Sequence, residues 1–185
     1  APASVGLMTP KGIPLNLDVE DWALEGDSAV CAIRKDSGDD PDITNGVLVY
    51  ARVTRREGDI LIDGGEGIGR VTKLGLNQPV GQAAINTVPR QMIRDACQGM
   101  AAEYGYQGGF RVVISIPGGE ELAKKTFNPR LGIEGGLSII GTTGIVEPMS
   151  NDALADTIRL ELNVLAASGA KAVLLSPGNY GETFS

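Results

Sequence analysis

The chain has 185 residues and 42% of them are hydrophobic, which is enough for one sizeable domain, or for one domain and part of another. Its formal net charge of −7 disfavours a nucleic-acid-binding protein, because such a protein gains affinity by neutralising phosphates. The absence of histidine excludes catalytic triads, general bases and metal sites that depend on an imidazole.

The first third of the chain has the alternating pattern of β-strands. Apolar residues over 5–8 and 13–19 flank a turn that contains proline and glycine, which predicts a hairpin. A third strand is predicted over 29–34. Strong alternation over 47–53 predicts a strand that turns back into another strand over 59–63. We therefore expect an antiparallel sheet in this part of the chain.

The middle of the chain predicts a long helix, a strand and a short helix. The long helix should begin near Pro89, because proline suits the first helical position. A strand over 110–116 and a short helix over 120–125 follow. The long helix has an apolar stripe that recurs every four residues. Its members are Val88, Met92, Ala96, Met100 and Tyr104.

The last part of the chain has the pattern of one βαβ unit. Short apolar strands are predicted over 137–140 and 172–175. Between them we predict a helical stretch over 145–149 and a longer helix that Ser150 caps and that Gly169 ends. The longer helix should bury one apolar face. That face carries Leu154, Ile158, Leu162 and Leu165.

These elements predict the α+β fold class. We expect an antiparallel-sheet α+β domain over 1–133, followed by the start of a parallel α/β domain over 134–185. One βαβ unit is too little for a buried parallel sheet. We therefore expect the polypeptide to be truncated, or to be completed by another chain or by a second copy in a homo-oligomer.

The remaining composition signals concern location and metals. No apolar run approaches the length of a transmembrane helix, and no signal peptide is visible. We therefore expect a cytoplasmic protein without a membrane partner. Cys31 and Cys97 have neither the spacing of metal ligands nor that of a disulfide framework, so we expect two core residues and no protein-bound metal.

An acidic segment over 35–42, KDSGDDPD, places four carboxylates within seven residues. Such carboxylates repel one another unless a cation, hydrogen-bond donors or water relieve them. One interpretation is a solvated loop with Asx-turns. The other is a site for a ligand's ammonium or sulfonium group, or for ribose hydroxyls, whereas the spacing is wrong for a calcium loop. Asp36, Asp39 and Asp40 are the candidate cofactor-binding residues here.

Two glycine-rich loops are further candidates. The loop 64–69, GGEGIG, lacks the ending of a P-loop, and its glycines permit either close approach of a ligand or a tight crossing between strands. The loop 141–144 leaves a predicted parallel strand, and 178–179 leave its neighbour, so both should meet at a cofactor pocket unless they are simple turns. The candidate residues are Gly141, Thr142, Thr143, Gly144, Gly178 and Asn179.

Basic residues are scattered through the middle of this acidic chain. They either lie on a solvated surface or bind ligand carboxylates through charge-assisted hydrogen bonds. Arg130 lies in the sequence Asn128-Pro129-Arg130-Leu131-Gly132, which indicates a fixed loop. The full basic set is Arg70, Lys73, Arg90, Lys124, Lys125 and Arg130.

A series of motifs runs through nearly the whole chain. The acidic segment continues to residue 44 as KDSGDDPDIT, and the glycine loop follows. The most specific run is GEELAKKTFNPRLGI over 119–133, which continues into GGLSIIGTTGIV over 135–146, and PGNYGE follows over 177–182. In this order the motifs resemble those of the cobalt-precorrin-5B C1-methyltransferase family of anaerobic cobalamin synthesis. The family's N-terminal Thr- and Gly-rich segment and its C-terminal His-containing motif have no counterpart in these 185 residues.

The resemblance implies methylation of C1 of cobalt-precorrin-5B with S-adenosylmethionine as the methyl donor. This in-line displacement needs alignment more than a strong base, so a site without histidine can support it. The anionic corrinoid would be bound by basic and amide groups, and the cationic donor by the acidic segment or a glycine loop. The candidate substrate-binding residues are Lys73, Arg90, Lys124, Asn128 and Arg130, and the resemblance assigns no catalytic residue.

Two other functions stay open at this point. A non-catalytic corrinoid-binding or scaffold module would share the same motifs without turning over substrate. A nucleotide- or phosphate-binding enzyme would explain the glycine-rich loops alone, but the missing P-loop lysine argues against it.

Overall fold

The computed structural model describes residues 3–141, 143–147 and 151–175. The chain begins with an antiparallel hairpin of β1 (Ser4–Met8) and β2 (Pro14–Asp18). The hydroxyl of Thr9 accepts the N–H of Ile13 at 3.0 Å and closes the turn. The predicted hairpin is therefore confirmed.

Seven more strands and four helices follow within the described residues. The strands are β3 (Asp21–Glu25), β4 (Ser28–Arg34), β5 (Leu48–Arg56), β6 (Leu61–Gly64), β7 (Arg70–Val71), β8 (Gly109–Ser115) and β9 (Ile133–Glu134). The helices are α1 (Thr87–Glu103), α2 (Gly119–Ala123), α3 (Asn128–Leu131) and α4 (Asn151–Ala167). Strands and helices are mixed along the chain, which confirms the α+β class. The domain boundary after residue 133 stays a prediction.

The central sheet has the order β3-β4-β5-β8-β6, and all neighbours are antiparallel except β6 and β8. Strands over 47–53 and 59–63 were predicted correctly, but their pairing as a hairpin is wrong because β8 lies between them. The turn after β5 crosses over Gly109, where a Cβ atom would lie 2.0 Å from the carbonyl oxygen of Gly58. Because glycine permits this crossing, β8 enters the sheet beside β5.

The parallel unit of the fold is β6–α1–β8, since parallel neighbours need a crossover connection and α1 supplies it. The sequence placed such a unit over 137–175. There, the predicted first strand is reduced to two isolated bridges, of Leu137 with Ile68 and of Ile139 with Ile85. The described residues 172–175 form no strand, and Leu174 in that stretch is exposed.

The two predicted helices of this region have different outcomes. Residues 145–147 are not helical, and 148–149 lie outside the described residues. The longer helix is confirmed as α4, although its predicted cap at Ser150 lies outside the described residues. Gly169, with φ +90°, follows the end of α4 as predicted. On the predicted apolar face, Leu154 and Ile158 are exposed. Among the described side chains of α4, Val164 is buried, and it lies outside the predicted face.

The core lies between the central sheet, α1 and the segments that follow β6 and β9. Its fully buried members include Ile85, Val112 and Leu137. Helix α1 packs on this core through Ile93 and Cys97, while most of the predicted stripe faces outward. The predicted stripe is one residue out of register, because apolar residues at four-residue spacing occur on two adjacent rows of the helix.

Candidate functional site

A cavity of about 800 Å³ lies between α4 and the core. This volume falls in the range of small-molecule and cofactor sites. The apolar part of the lining comes mainly from the starts of β5 and β9 and from the segment after β9. The side chains of this part include Val47, Val49, Val71, Leu131, Ile133, Leu137 and Ile139. Five amide side chains add polar groups: Asn77, Gln78, Asn86, Asn128 and Asn163.

Helix α4 closes the cavity because one glycine lets it approach the core. Gly75 has φ +96°, and a Cβ atom there would lie 2.6 Å from the carbonyl oxygen of Asn163. The next residue of α4, Val164, is buried at this contact. The cavity-facing side of α4 contributes Asp156, Arg159 and other residues to the lining.

The glycine-rich loop 64–69 takes part in a crossing of three backbone segments next to the cavity. A Cβ atom on Gly67 would lie 1.9 Å from the carbonyl oxygen of Ile116. Added Cβ atoms on Gly119 and Gly136 would lie 2.5 Å and 2.4 Å from the carbonyl oxygen of Gly67. These contacts support the tight crossing rather than a phosphate cradle, because protein backbone occupies the space that a ligand would need.

The acidic segment contributes its two ends to the cavity, and not its middle. Lys35 and Asp42 line the cavity and form an ion pair. Asp36 accepts the N–H of Gly38 at 2.8 Å, which is the Asx-turn of the solvated-loop interpretation. Asp39 is exposed, and none of the three predicted cofactor-binding aspartates lines the cavity. Their role in cofactor binding stays a prediction.

The ion pair at the ends of the segment is held in place by Thr44. Lys35 donates to the carboxylate of Asp42 and to the hydroxyl of Thr44. The other carboxylate oxygen of Asp42 accepts the N–H and hydroxyl of Thr44 at 2.8 Å and 2.7 Å. Burial alone would raise the pKa of Asp42, but the bonds from Lys35 and Thr44 outweigh it and lower this pKa.

Arg90 has a structural environment. Its guanidinium donates to the carbonyl oxygens of Ile85, Ile62 and Ala83 at 2.8, 2.9 and 3.1 Å. Burial, and then the positive charge of Arg94, lower the pKa of Arg90. Arg90 therefore ties the start of α1 to the free edge of β6, and it does not line the cavity.

The other predicted basic residues lie outside the cavity lining. The ammonium of Lys73 donates to the carbonyl oxygen of Arg130 at 3.1 Å, so the structure brings these two residues together. The backbone of Gly132 lies against the side chain of Lys73. A Cβ atom on Gly132 would lie 2.4 Å from the Cγ atom of Lys73. Lys124 is exposed and pairs with Glu121 on α2. Their binding of substrate carboxylates stays a prediction.

Asn128 is the predicted substrate-binding residue that lines the cavity. It is 8% exposed and begins α3. Its amide nitrogen donates to the carbonyl oxygen of Gly136 at 3.2 Å, and its amide oxygen accepts the hydroxyl of Ser138 at 3.2 Å. Asn128 is therefore fixed by two bonds, which orient the wall that it shares with Ser138.

The predicted cofactor loop is only partly within the described residues. Gly141 lines the cavity and lies against Pro89 at the start of α1. Gly144 lies against the turn at Thr9 of the first hairpin, away from the cavity lining. The hydroxyl of Thr143 donates to the carbonyl oxygen of Ile145 at 2.7 Å. The remaining loop residues, Thr142, Gly178 and Asn179, lie outside the described residues.

Sequence reasoning missed several lining residues. Asn86 and Asn163 are not among the predicted site residues, and they reach the cavity because α1 begins there and α4 docks there. Lys35 and Thr44 belong to the motif over 35–44, but the sequence does not single them out as site residues. The signal that would have found them is that β4 ends at Arg34 and β5 begins at Leu48, so both ends of the intervening loop leave the sheet together.

The described residues show neither a membrane helix nor a metal cluster. Within 3–141, 143–147 and 151–175, no helix is both long and apolar enough to cross a bilayer. In the same residues, no three Cys, Asp or Glu side chains are grouped so that they could hold a metal ion. Both cysteines are half-buried free thiols, and burial raises the pKa of each.

Comparisons with known proteins agree on one family. The CbiD family model matches residues 1–148. The cobalt-precorrin-5B C(1)-methyltransferase of Ruminiclostridium cellulolyticum is 55% identical over 177 residues, which cover 96% of this chain and 46% of that protein. The protein of the same name from Thermoanaerobacter is 50% identical over 98% of this chain and 49% of its own length.

A solved structure shows the same relationship. The crystal structure of the cobalamin biosynthesis protein (cbiD) from Archaeoglobus fulgidus matches with a TM-score of 0.60 and 32% identity, over 85% of this chain and 50% of that one. The chain spans about half the length of the curated relatives that it matches. Because the family model and the relatives cover most of these 185 residues, the chain belongs to the CbiD family.

Proposed function

We propose that this chain serves the reaction after which its relatives are named, methylation of C1 of cobalt-precorrin-5B, with S-adenosylmethionine as donor. The observation that carries the proposal is the cavity of about 800 Å³. Three separate motifs of the family resemblance meet in its lining, over 35–44, 119–133 and 135–146. Segments that are far apart in the sequence and share one cavity are the expected arrangement of a ligand site.

The lining supplies what methyl transfer from a sulfonium requires. In this step the methyl–sulfur bond breaks while the ring carbon's electron pair forms the new carbon–carbon bond, and the donor leaves as S-adenosylhomocysteine. Positioning of the two reactants supplies most of the rate, because alignment replaces a bimolecular encounter. The apolar side chains exclude water, and the amides fix the ligands through hydrogen bonds.

The carboxylates of the corrinoid need cations, and Lys73 and Arg130 are the best-placed pair of those predicted. They lie together beside Leu131 and Ile133, which line the cavity. Charge-assisted bonds from this pair to substrate carboxylates would hold the macrocycle at the cavity mouth. Lys124 stays a further candidate, whereas Arg90 has its described hydrogen bonds with backbone carbonyls.

A non-catalytic corrinoid-binding module is the second candidate. Its support is that the amides and apolar side chains of the cavity can bind a ligand, while the resemblance assigns no catalytic residue. Such a module would bind the corrinoid at the cavity mouth, through Lys73 and Arg130, without transferring a methyl group. Its cytoplasmic location, and a homo-oligomer or a completing chain as partner, are predictions that both candidates share.

The test is a methyl-transfer assay with two proteins. The 185-residue chain and the Ruminiclostridium relative, as positive control, are each incubated with cobalt-precorrin-5B and methyl-labelled S-adenosylmethionine. We expect the chain to give a product that has gained one labelled methyl group at C1. Corrinoid binding without methylation would favour the binding module. A chain that neither binds nor methylates the corrinoid, while the relative does, contradicts the proposal.

A further inference from the structure

The charged groups that line the cavity cancel one another. Two cations, Lys35 and Arg159, and two carboxylates, Asp42 and Asp156, belong to the lining. Lys35 pairs with Asp42, and Arg159 donates to Asp156 at 2.7 Å. A ligand with several carboxylates gains little from such a lining, because each cation already faces a carboxylate that would repel the ligand.

Several arginine side chains are grouped in another part of the molecule. Around the end of β6, Arg70 donates to the carboxylate of Asp63 at 2.7 Å. This hydrogen bond, and then the charges of Arg70 and Arg111, lower the pKa of Asp63. Arg94 lies one helical turn from Arg90 in the same region. None of these arginines lines the cavity. The charged groups of the lining therefore sum to zero, and these arginines lie outside it.

The Lys35–Asp42 pair has one donor and one acceptor site left. An ammonium has three N–H donors, and the described partners of Lys35 take two of them, Asp42 and Thr44. A carboxylate has about four acceptor sites, and the described bonds to Asp42 take three. Side by side, the free donor suits a carboxylate and the free acceptor suits an ammonium. Both groups occur together in an α-amino acid.

The pair is also fixed before any ligand arrives. The backbone N–H of Lys35 donates to the carbonyl oxygen of Val47 at 2.9 Å, and the N–H of Gly46 donates to the carbonyl oxygen of Lys35 at 2.9 Å. Thr44 holds the carboxylate of Asp42 through two bonds. Both side chains are half-buried, so solvent screens them less than it screens an exposed pair.

We propose that Lys35, Asp42 and Thr44 form the subsite for the zwitterionic amino-acid end of the methyl donor. The subsite rests on the proposed function, in which S-adenosylmethionine is the methyl donor. This donor carries an α-ammonium and an α-carboxylate at one end. Lys35 binds the carboxylate, Asp42 binds the ammonium, and Thr44 orients both side chains. The apolar side chains and the amides of the lining then meet the adenine ring and the ribose hydroxyls.

The test compares two ligands that differ only in the group concerned. S-adenosylhomocysteine retains the amino-acid end, and 5′-methylthioadenosine lacks it. Calorimetry with the 185-residue chain should show that Lys35→Met and Asp42→Asn each weaken S-adenosylhomocysteine binding by about tenfold or more, as expected for a lost charge-assisted bond. The affinity for 5′-methylthioadenosine should not change, which also shows that each variant retains its fold.

Arg52→Met is the matched control, because the ion pair of Arg52 with Glu25 lies on the central sheet outside the cavity lining. It should change neither affinity. Equal losses for both ligands in Lys35→Met, unchanged binding of S-adenosylhomocysteine, or no binding of it to the native chain would each overturn the subsite. The methyl-transfer assay is independent of this result. If the native chain methylates the corrinoid and Lys35→Met binds S-adenosylhomocysteine as tightly as the native chain does, the proposed function stands. Only the proposed subsite is then wrong.

Discussion

At the scale of single residues, the glycine loop under the cavity is set by contacts that exclude a side chain. Gly67 combines φ +71° with a carbonyl oxygen 1.9 Å from the position of a Cβ atom. Gly58 has a similar φ of +80°, but nothing lies within 4 Å of its Cβ position. A side chain at Gly58 would therefore meet backbone strain alone, whereas a side chain at Gly67 would meet the same strain and a steric clash.

Gly67→Ala and Gly58→Ala should differ strongly in the free energy of unfolding. Gly58→Ala should cost about 1–2 kcal/mol, since it adds only the strain of a left-handed conformation. Gly67→Ala should cost about 4 kcal/mol or more, because the crossing backbones must also move apart. Urea denaturation of both variants measures the difference. Equal losses would show that the crossing is looser than the structure has it.

The stability of an Arg90 variant tests whether Arg90 has a structural role rather than a role in ligand binding. Arg90→Met should lower the free energy of unfolding by about 3 kcal/mol, because three carbonyl oxygens each lose one hydrogen bond. The control Arg52→Met removes an exposed pair and should cost less than about 1 kcal/mol. Unfolding midpoints measure both. If Arg90→Met left stability unchanged, Arg90 would not anchor β6 to α1.

The sequence located candidate residues better than it assigned their partners. It identified the acidic segment, but side-chain direction decides that Lys35 and Asp42 enter the cavity while Asp39 is exposed. Composition shows the charge of Arg90, whereas its partner in β6, the carbonyl oxygen of Ile62, is 28 positions away and only the fold brings the two together. Such long-range contacts leave no periodic pattern in a single sequence.

At the scale of elements, the docking of α4 depends on the close approach at Gly75. Gly75→Ala should separate α4 from the core, since its Cβ atom would lie 2.6 Å from a carbonyl oxygen of α4. Hydrogen exchange should then accelerate across α4 while β5 and β8 stay protected. Gly81→Ala is the matched control, with φ +87° and open space around its Cβ. Unchanged protection of α4 in Gly75→Ala would contradict this docking.

The link between β6 and β7 predicts a dependence of stability on pH. The hydrogen bond from Arg70 is the main cause that lowers the pKa of Asp63 in the folded chain. The resulting stability is present above the ordinary aspartate pKa of about 3.9, and it is lost as pH falls through the lowered folded value.

Asp63→Asn should therefore have a lower free energy of unfolding than the native chain at pH 6. On acidification, the free energy of unfolding should fall less for Asp63→Asn than for the native chain. Asp39→Asn, at an exposed carboxylate of the acidic segment, is the control and should follow the native curve. Denaturation at a series of pH values between about 6 and 2 measures this, a range that spans the ordinary aspartate pKa. Parallel curves for Asp63→Asn and the native chain would contradict the role of the ion pair.

Elements with a strong local pattern were predictable, and their pairing was not. The first hairpin, α1 and β8 follow from alternation, helical spacing and turn residues. The position of β8 between β5 and β6 depends on Gly109 passing under the turn after β5, which is a contact between residues about fifty positions apart. Strand β3 was missed because Trp22 and Leu24 lie at an exposed edge and lack a buried face.

At the scale of the whole molecule, the α+β class was predictable from the pattern of strands and helices, and the family from the order of the motifs. The parallel unit was placed too late in the chain, because β6 looked like the hairpin partner of β5, whereas β6 pairs in parallel with β8 and α1 connects the two. The cavity was not predictable at all, since it requires α4 to dock on Gly75 and the core to present the ends of the acidic segment.

The methyl donor should bind in the cavity between α4 and the core. The experiment that decides this is a crystal structure of the chain with S-adenosylhomocysteine. We expect electron density for the ligand in the cavity, with its amino-acid end at Lys35 and Asp42. Density in another part of the molecule, with this cavity empty, would contradict it.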